Sequence, residues 1–278
     1  MNPTAQALAR AHRAALLLPE AGPASESQQT FMQHLIRSAA QLLKQCEEIP
    51  DTQAALFEIL PTLGEAFTQQ QVALYGYARL MLEQPQAFEG APLNDAQCEH
   101  LHTISSASQE AIRLTDEIMQ AAQQWRQRAR SAAPARFALG PLLEERLPIW
   151  RYWLRERPVI LSSTVADELP LVFGSAYHLA EMLRHVVLTM GREWIEYGQI
   201  QISASAQARI VALGIFCTGA QGSQDEMARL FGQPGQQLYL AQMRRVKIGL
   251  RLEKEPGKGV TILLEIPTGP GQEMRAGL

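Results

Sequence analysis

Residues 215–222, IFCTGAQG, end an apolar strand in a Thr-Gly turn. Turns of this kind, with glycine where φ is positive, are typical of loops that bind nucleotides. Such a loop needs a strong acceptor for the amino group of the base, and a carboxylate is the strongest side chain for this role. Cys217 stands where that carboxylate belongs, and a thiol is a weak acceptor. The stretch therefore predicts the frame of a nucleotide pocket without the residue that recognises the base.

Other residues that could bind metal or carry nucleophilic chemistry are scattered. Cys46, Cys98 and Cys217 are far apart and odd in number, so they predict neither a disulfide framework nor a zinc site. His100 and His102 are two residues apart, and this spacing places them on different sides of a helix. They make a poor metal pair and are interpreted as surface residues.

Two charged groups in the C-terminal half have a plain interpretation. Glu193 and Glu196 lie on the helix predicted over 175–197, and we expect both to be exposed. The basic run at Arg244, Arg245 and Lys247 is typical of a solvated face, with binding of an acidic partner as the alternative.

Composition and charge exclude several classes of protein. The chain has 278 residues, of which 46% are apolar, and a formal net charge of −3. This balance is ordinary for a soluble globular fold and lacks the basic character expected of a nucleic-acid-binding domain. No apolar run approaches the roughly 20 residues that span a bilayer, and the N-terminal run AALLL is too short for a usual signal peptide. We therefore expect a cytoplasmic protein that binds neither nucleic acid nor membrane.

The first 50 residues predict a leader followed by a helix. Residues 1–27 end in GPASES and predict a loosely held leader. Residues 28–48 place Phe31, Leu35 and Leu42 on one face of an amphipathic helix.

The next part of the chain predicts two long helices joined by a turn-rich connector. The first helix follows a cap at Asp51 or Thr52 and contains Pro61, which predicts a kink. The second helix follows a cap at Asn94 or Asp95. Together they predict an antiparallel hairpin over most of this region.

The first hairpin helix carries an apolar stripe, and the second carries a seam near the heptad period. The stripe of the first helix includes Leu56, Leu60, Leu63, Phe67, Leu74, Tyr77 and Met81, and the seam of the second is formed by Leu101, Ile104, Ser108, Ala111, Leu114 or Thr115, Ile118 and Ala122. A hairpin has two apolar sides but only one internal partner, so the sequence predicts a homodimer in which two hairpins form a four-helix bundle.

The segments predict four parts: residues 1–50, a hairpin over 51–133, an α/β sandwich over 134–268 and a flexible tail over 269–278. Helices interleaved with alternating strands indicate the sandwich. Its predicted elements are a helix over 139–156, a strand over 158–165, a helix over 175–197, strands over 199–204 and 210–216, and a strand pair within 250–266 split by EPGKG.

This order of elements resembles the histidine-kinase core, a dimerisation and phosphotransfer hairpin followed by an ATPase domain of the GHKL type. DELPLVFGSAYHLAEML resembles the strand end and asparagine-bearing helix of that domain, MARLFG the short helix of its ATP lid, and EPGKGVTILLEIP its closing hairpin. LYGYARLML resembles the segment after the phospho-accepting histidine, and ISSASQEAIRLTDEIM the second hairpin helix. The resemblance spans roughly residues 52–267 and implies an α+β fold, a helical hairpin followed by an α/β sandwich.

The residues that carry the chemistry of that family are replaced in this chain. The phospho-accepting histidine falls on Glu65, and the two asparagines of the helix fall on His185 and Thr189, the second of which would help to hold magnesium. The adenine-binding aspartate falls on Cys217, while Gly219 of the same loop is retained. The other glycine positions of the loop and of the stretch after the lid fall on Gln221, Gly235, Gln236 and Gln237.

These replacements imply the loss of ATP chemistry. A hydrogen bond to a charged group contributes about 1.5–3 kcal/mol, and the lost magnesium ligand removes a similar amount. A change of about 1.4 kcal/mol in binding free energy alters the affinity tenfold, so the two losses together lower the affinity for ATP by several orders of magnitude. We therefore expect no cofactor, no metal and no catalytic residue, with Cys217 as a small buried residue and Glu65 as a solvated one.

Three functions follow from the resemblance. The favoured one is a catalytically inactive, dimeric regulatory or scaffold protein that binds a response regulator, a kinase or another signalling or transcription protein. A histidine phosphotransferase that relays phosphate without ATP is the second, but it needs a histidine near Glu65. A weak ATPase or ligand-binding enzyme that uses the altered pocket is the third.

Overall fold

The computed structural model describes residues 2–85, 92–219, 241, 244–245, 247–255 and 259–269. The chain forms two compact units, Met1–Trp125 and Arg126–Leu278. The predicted α+β class is confirmed, since helices are followed by a mixed sheet. The finer boundaries at 50/51, 133/134 and 268/269 stay predictions. Among the described residues, no helix has the length and apolar character needed to cross a membrane.

The N-terminal unit is built from long helices. Its elements are α1 (Pro3–Leu17), a 3-10 turn (Leu18–Ala21), α2 (Glu26–Glu47), α3 (Gln53–Glu83) and α4 (Asp95–Ser131), whose last residues belong to the second unit.

The prediction of a loosely held leader is wrong, because α1 is a buried helix. The Asn2 side chain accepts a hydrogen bond from the backbone N–H of Thr4 at 2.9 Å, and Pro3 occupies the first turn, where its missing N–H has no cost. The inner face consists of Leu8 and a run of alanines, all buried. Alanine gives a weak hydrophobic signal, so the helical periodicity of this face was easy to miss.

The four helices close a bundle within a single chain. α2 packs against both α1 and α3. The buried Gln71 Nε2 donates to Thr115 Oγ1 at 3.1 Å and joins α3 to α4, while an ion pair between Arg10 and Glu110 joins α1 to α4. Each helix therefore has two neighbours, as in a four-helix bundle. The fully buried side chains at its centre include Leu8, Met32, Leu35, Leu42, Ile59, Leu74, Leu101 and Ile104.

This packing changes the argument for a homodimer. The apolar seam of the hairpin was predicted to bind the hairpin of a second chain. In the structure α1 and α2 supply the other two helices, and most of the seam residues are buried without a partner chain, whereas Leu56 and Leu63 are half-buried and Tyr77 is exposed. The unpaired seam is thus no reason for dimerisation of the full chain.

The N-caps and the kink of the hairpin helices agree with the sequence prediction. Thr52 Oγ1 accepts from the backbone N–H of Ala55 at 3.1 Å, and Asn94 Oδ1 accepts from that of Gln97 at 2.8 Å. The predicted kink is present, but the break in helical geometry lies at Gly64, with φ 68° and ψ −158°, three residues after Pro61. Glycine takes this conformation without the clash that a Cβ would cause.

The C-terminal unit is a two-layer sandwich. Its elements are β1 (Ala135–Phe137), α5 (Leu139–Leu154), β2 (Val159–Val165), β3 (Val172–Gly174), α6 (Ala176–Thr189), a π-helical turn (Met190–Trp194), β4 (Gly198–Gln207), β5 (Ile210–Cys217), β6 (Gly249–Glu255) and β7 (Gly259–Pro267). The five-stranded sheet has the order β2-β4-β5-β7-β6, in which β2 and β4 are parallel and the other pairs antiparallel. β1 pairs with β3 in a separate two-stranded sheet.

One face of the five-stranded sheet packs against α5 and α6. Strand alternation sends Val211, Leu213, Ile215 and Cys217 of β5 to this face, and all four are buried in the same cluster as Trp150 of α5. Cys217, the last residue of β5, is therefore part of this hydrophobic core.

Candidate functional site

The turn after β5 is held by backbone pairing to the start of β4. Cys217 lies between Ile200 of β4 and Val260 of β7 in the register of the sheet. The backbone N–H of Thr218 donates to the carbonyl of Gln199 at 2.9 Å, and the N–H of Gln199 donates to Thr218 Oγ1 at 3.0 Å. Two hydrogen bonds between Thr218 and Gln199 thus hold the Thr-Gly turn against the start of β4.

Close backbone approaches require glycine around this turn. Gly219 has a φ of 74°, and a Cβ there would lie 2.4 Å from the carbonyl oxygen of Tyr197. Gly259 has a φ of 137°, and its Cβ would lie 2.1 Å from the carbonyl oxygen of Cys217. The frame of a glycine-dependent loop is therefore present, as the sequence indicated. The role of Gly259 was missed because only the folded sheet brings it to Cys217.

The position of the predicted base-recognising residue is apolar. Cys217 is 0% exposed and shares its core cluster with Val187, Met190 and Val260. Its Sγ donates a weak hydrogen bond to the carbonyl oxygen of Thr218 at 3.8 Å. Burial raises the pKa of the Cys217 thiol to about 12, so the group stays neutral at physiological pH. The expectation that Cys217 is a small buried residue is confirmed.

The two residues at the asparagine positions lie at the end of α6. Both His185 and Thr189 are half-buried. After Thr189 the helix widens into the π-helical turn, in which the N–H of Ile195 donates to the carbonyl of Met190 at 3.1 Å. A Cβ on Gly191 would lie 2.6 Å from Leu154 Cδ2, so this turn packs tightly on the end of α5.

These residues do not fit a magnesium nucleotide. Magnesium requires several oxygen ligands in octahedral geometry, and Thr189 offers one hydroxyl beside the imidazole of His185. Glu193 and Glu196 are exposed, as expected. Within the described ranges, no three His, Cys, Asp or Glu side chains are grouped as a metal site would need. At the predicted adenine-binding position, the Cys217 thiol is buried and neutral.

Glu65 lies in the other unit, directly after the break at Gly64. Its side chain is exposed and accepts a hydrogen bond from Gln69 Nε2 at 3.1 Å. His100 is half-buried and His102 exposed, both near the start of α4. If the pairing of Gln71 with Thr115 continues along the hairpin, Glu65 faces α4 about 20 residues, or ~30 Å, from these histidines.

The remaining predicted positions, Gln221, Gly235, Gln236 and Gln237, lie outside the described residues, as does the MARLFG segment. The structure thus brings Gly219 close to Tyr197, in the segment that follows Thr189, and Cys217 and Met190 belong to the same core cluster.

The sequence matches neither a protein-family profile nor a curated protein. Solved structures do match. The nucleotide-free catalytic domain of the histidine kinase ThkA is 17% identical, covers 49% of this chain and 97% of its own, and has a TM-score of 0.43. The Acinetobacter baumannii histidine kinase AdeS is 10% identical over 72% of this chain and 96% of its own, with a TM-score of 0.42. The ATP-binding domain of PrrB from Mycobacterium tuberculosis is 19% identical over 50% of this chain and 98% of its own, with a TM-score of 0.40. This chain is similar to each of them, and nothing about its chemistry follows from these values.

Alkylation will report the burial of the thiols. In native protein treated with iodoacetamide at pH 8, we expect Cys98 to react first, because it is only half-buried. Cys46 and Cys217 should be protected until the protein unfolds, since burial raises the pKa of each to about 12 and the thiolate is the nucleophile. Peptide mass spectrometry with and without denaturant measures this. Modification of Cys217 at the rate of Cys98 would contradict the buried site.

Proposed function

We propose that this chain is a catalytically inactive, histidine-kinase-like regulatory protein that acts by binding other proteins in signalling or transcription control. The observation that carries the proposal is the state of Cys217, which is neutral, buried and packed among core side chains at the position that would recognise adenine. The glycine turn beside it is retained, so the fold keeps its frame while the polar ligands are replaced.

The pattern of replacements favours inactivity over weakened catalysis. An acceptor is missing at Cys217, and magnesium would have the Thr189 hydroxyl in place of a carboxamide. Each loss affects a different part of the nucleotide, so restoring one ligand leaves the other deficit in place.

The phosphotransferase alternative is disfavoured by the position of the histidines. A relay through the hairpin needs an imidazole at Glu65, and the nearest candidates on α4, His100 and His102, lie ~30 Å away along the helix by the register described above. The negative charge of Glu65 is fixed and exposed, and we assign it no chemistry.

We propose that a homodimer forms only when α1 and α2 leave the seam of the hairpin. In the closed bundle their side chains cover the residues that a second hairpin would contact. A regulatory partner that displaces these helices would then couple its binding to dimerisation.

Partners are proposed to be a response regulator, a kinase or another signalling or transcription protein in the cytoplasm. On the outer face of α3, Val72 is 50% exposed and Leu80 is 37% exposed, two turns apart. These apolar side chains give a partner a contact surface on the hairpin that the bundle does not use.

Binding of ATP tests the proposed inactivity. We expect titration calorimetry with magnesium and ATP to show no heat of binding, and the melting temperature to stay unchanged at millimolar ATP. A ligand at a hundredfold excess over its Kd would stabilise the fold by about 2.7 kcal/mol, which a melting curve detects easily. A micromolar Kd for ATP would overturn the proposal, and an unrelated active kinase serves as the positive control.

A further inference from the structure

A cavity of about 270 Å³ lies within the C-terminal unit. One wall is Arg130 and Ser131 at the end of α4 with the segment that follows them. The second is the start of α6, with Ser175 and His178, and the third includes Arg245. At roughly 30 Å³ per water in the liquid, this volume accommodates a small oxyanion together with several waters.

The charged side chains that the structure places in the lining of this cavity are both arginines. Arg130 and Arg245 contribute exposed guanidinium groups, and among the residues that the structure describes no acidic side chain is part of the lining. Within the described part of the chain, no ion pair joins either arginine to a carboxylate. Two unneutralised guanidinium groups at one cavity attract an anion, and their planar donors suit carboxylate and phosphate oxygens.

The α6 wall of the cavity adds polar groups that are already ordered. His178 is 7% exposed, and its Nδ1 lies 2.8 Å from Ser175 Oγ, which also accepts from the His178 backbone N–H at 3.4 Å. This Ser175 cap begins α6, a helix of 14 residues whose first turn carries partial positive charge. The helix dipole therefore acts in the same direction as the two arginines.

We propose that this cavity binds a small oxyanion, whose phosphate or carboxylate group is held between Arg130 and Arg245 against the start of α6. The site is separate from the turn after β5, because His178 precedes Thr189 by 11 residues of α6, or ~16 Å. Anion binding in this cavity is therefore independent of the residues at the predicted nucleotide positions.

The His178 imidazole supplies an internal reporter of occupancy. Its pKa is lowered, first by burial and then by the positive charge of Arg130, while Glu181 acts in the opposite direction. Among the described residues, the groups that face it include Arg130 from α4, Arg245 across the cavity, and Tyr177 and Glu181 on its own helix. An anion bound between the arginines offsets their field, so it raises the pKa of His178 and binds more tightly as pH falls.

The test is a titration of the full-length protein with inorganic phosphate, at constant ionic strength set with potassium chloride. The His178 ring resonances are followed by NMR, and succinate is used in a second arm. We expect a saturable shift and a raised His178 pKa. Arg130→Ala and Arg245→Ala should each weaken binding about tenfold or more, since each removes a charge-assisted contact.

Matched controls are available beside each arginine. Arg128 and Arg244 are also exposed, but they do not line the cavity, so Arg128→Ala and Arg244→Ala should bind as the parent does. Tighter binding of phosphate or of succinate identifies the oxyanion class. The proposal is overturned if neither anion moves the His178 resonances in a saturable way, or if the control variants weaken binding as much as the lining variants. Melting curves of all four variants verify that each remains folded.

Discussion

A protein that lacks residues 1–50 is expected to dimerise through its hairpin, whereas the full-length protein does not use this surface. The deletion removes α1, the 3-10 turn and α2. It takes from the bundle the fully buried side chains Leu8, Leu18, Met32, Leu35 and Leu42. Leu74, Leu101 and Ile104 on the hairpin then lose their cover. Exposing a large apolar side chain costs about 1.5–3 kcal/mol, so the open seam strongly favours a second hairpin.

Light scattering at tens of micromolar compares residues 51–278 with the full chain, and circular dichroism measures helicity.

A second experiment tests the same prediction with point variants of the full-length protein. Leu35→Asp places a charge in the core between α2 and the hairpin, while Gln33→Asp places the same charge on the exposed face of α2. We expect the first variant, and not the second, to shift toward dimer. A deletion variant that remains monomeric and fully helical would show that the hairpin needs no covering helices.

The hairpin could be predicted from sequence because large residues mark its faces. Leu74, Leu101 and Ile104 repeat near the heptad period, and Thr52 and Asn94 are strong caps. α1 was missed because its buried face is mainly alanine. The intrachain bundle could not be predicted, since periodicity identifies an apolar face but not the surface that will cover it.

In the C-terminal unit, too, some elements could be predicted from sequence and others could not. Strands β4, β5 and β7 alternate clearly and were predicted, whereas β1 and β3 have three residues each and are too short to show a period. The burial of Cys217 followed from its place at the end of an alternating strand. The oxyanion cavity gave no local signal, because Arg130, His178 and Arg245 are brought together only by the fold.

Cys217→Asp is expected to destabilise the C-terminal unit by about 3 kcal/mol or more. The new carboxylate would enter the apolar cluster that includes Val187, Met190, Ile200 and Val260, where the thiol donates a weak hydrogen bond to the Thr218 carbonyl. An unsatisfied buried polar group costs about 1–3 kcal/mol, and a charged group costs more. Cys217→Ser is the matched control, since it changes polarity without adding charge, and we expect it to lose less stability.

The pH dependence separates buried charge from a simple packing defect. Burial would raise the pKa of the new carboxyl above its unfolded value near 3.9, so the folded state would bind more protons between the two values. Stability of the variant relative to the parent should therefore fall as pH rises through this window, and the deficit should be larger at pH 7 than at about pH 4. Urea unfolding of parent, Cys217→Asp and Cys217→Ser at both pH values measures this. An aspartate variant that is as stable as the parent and newly binds ATP would mean that the pocket is open and that Cys217 alone had closed it to the nucleotide.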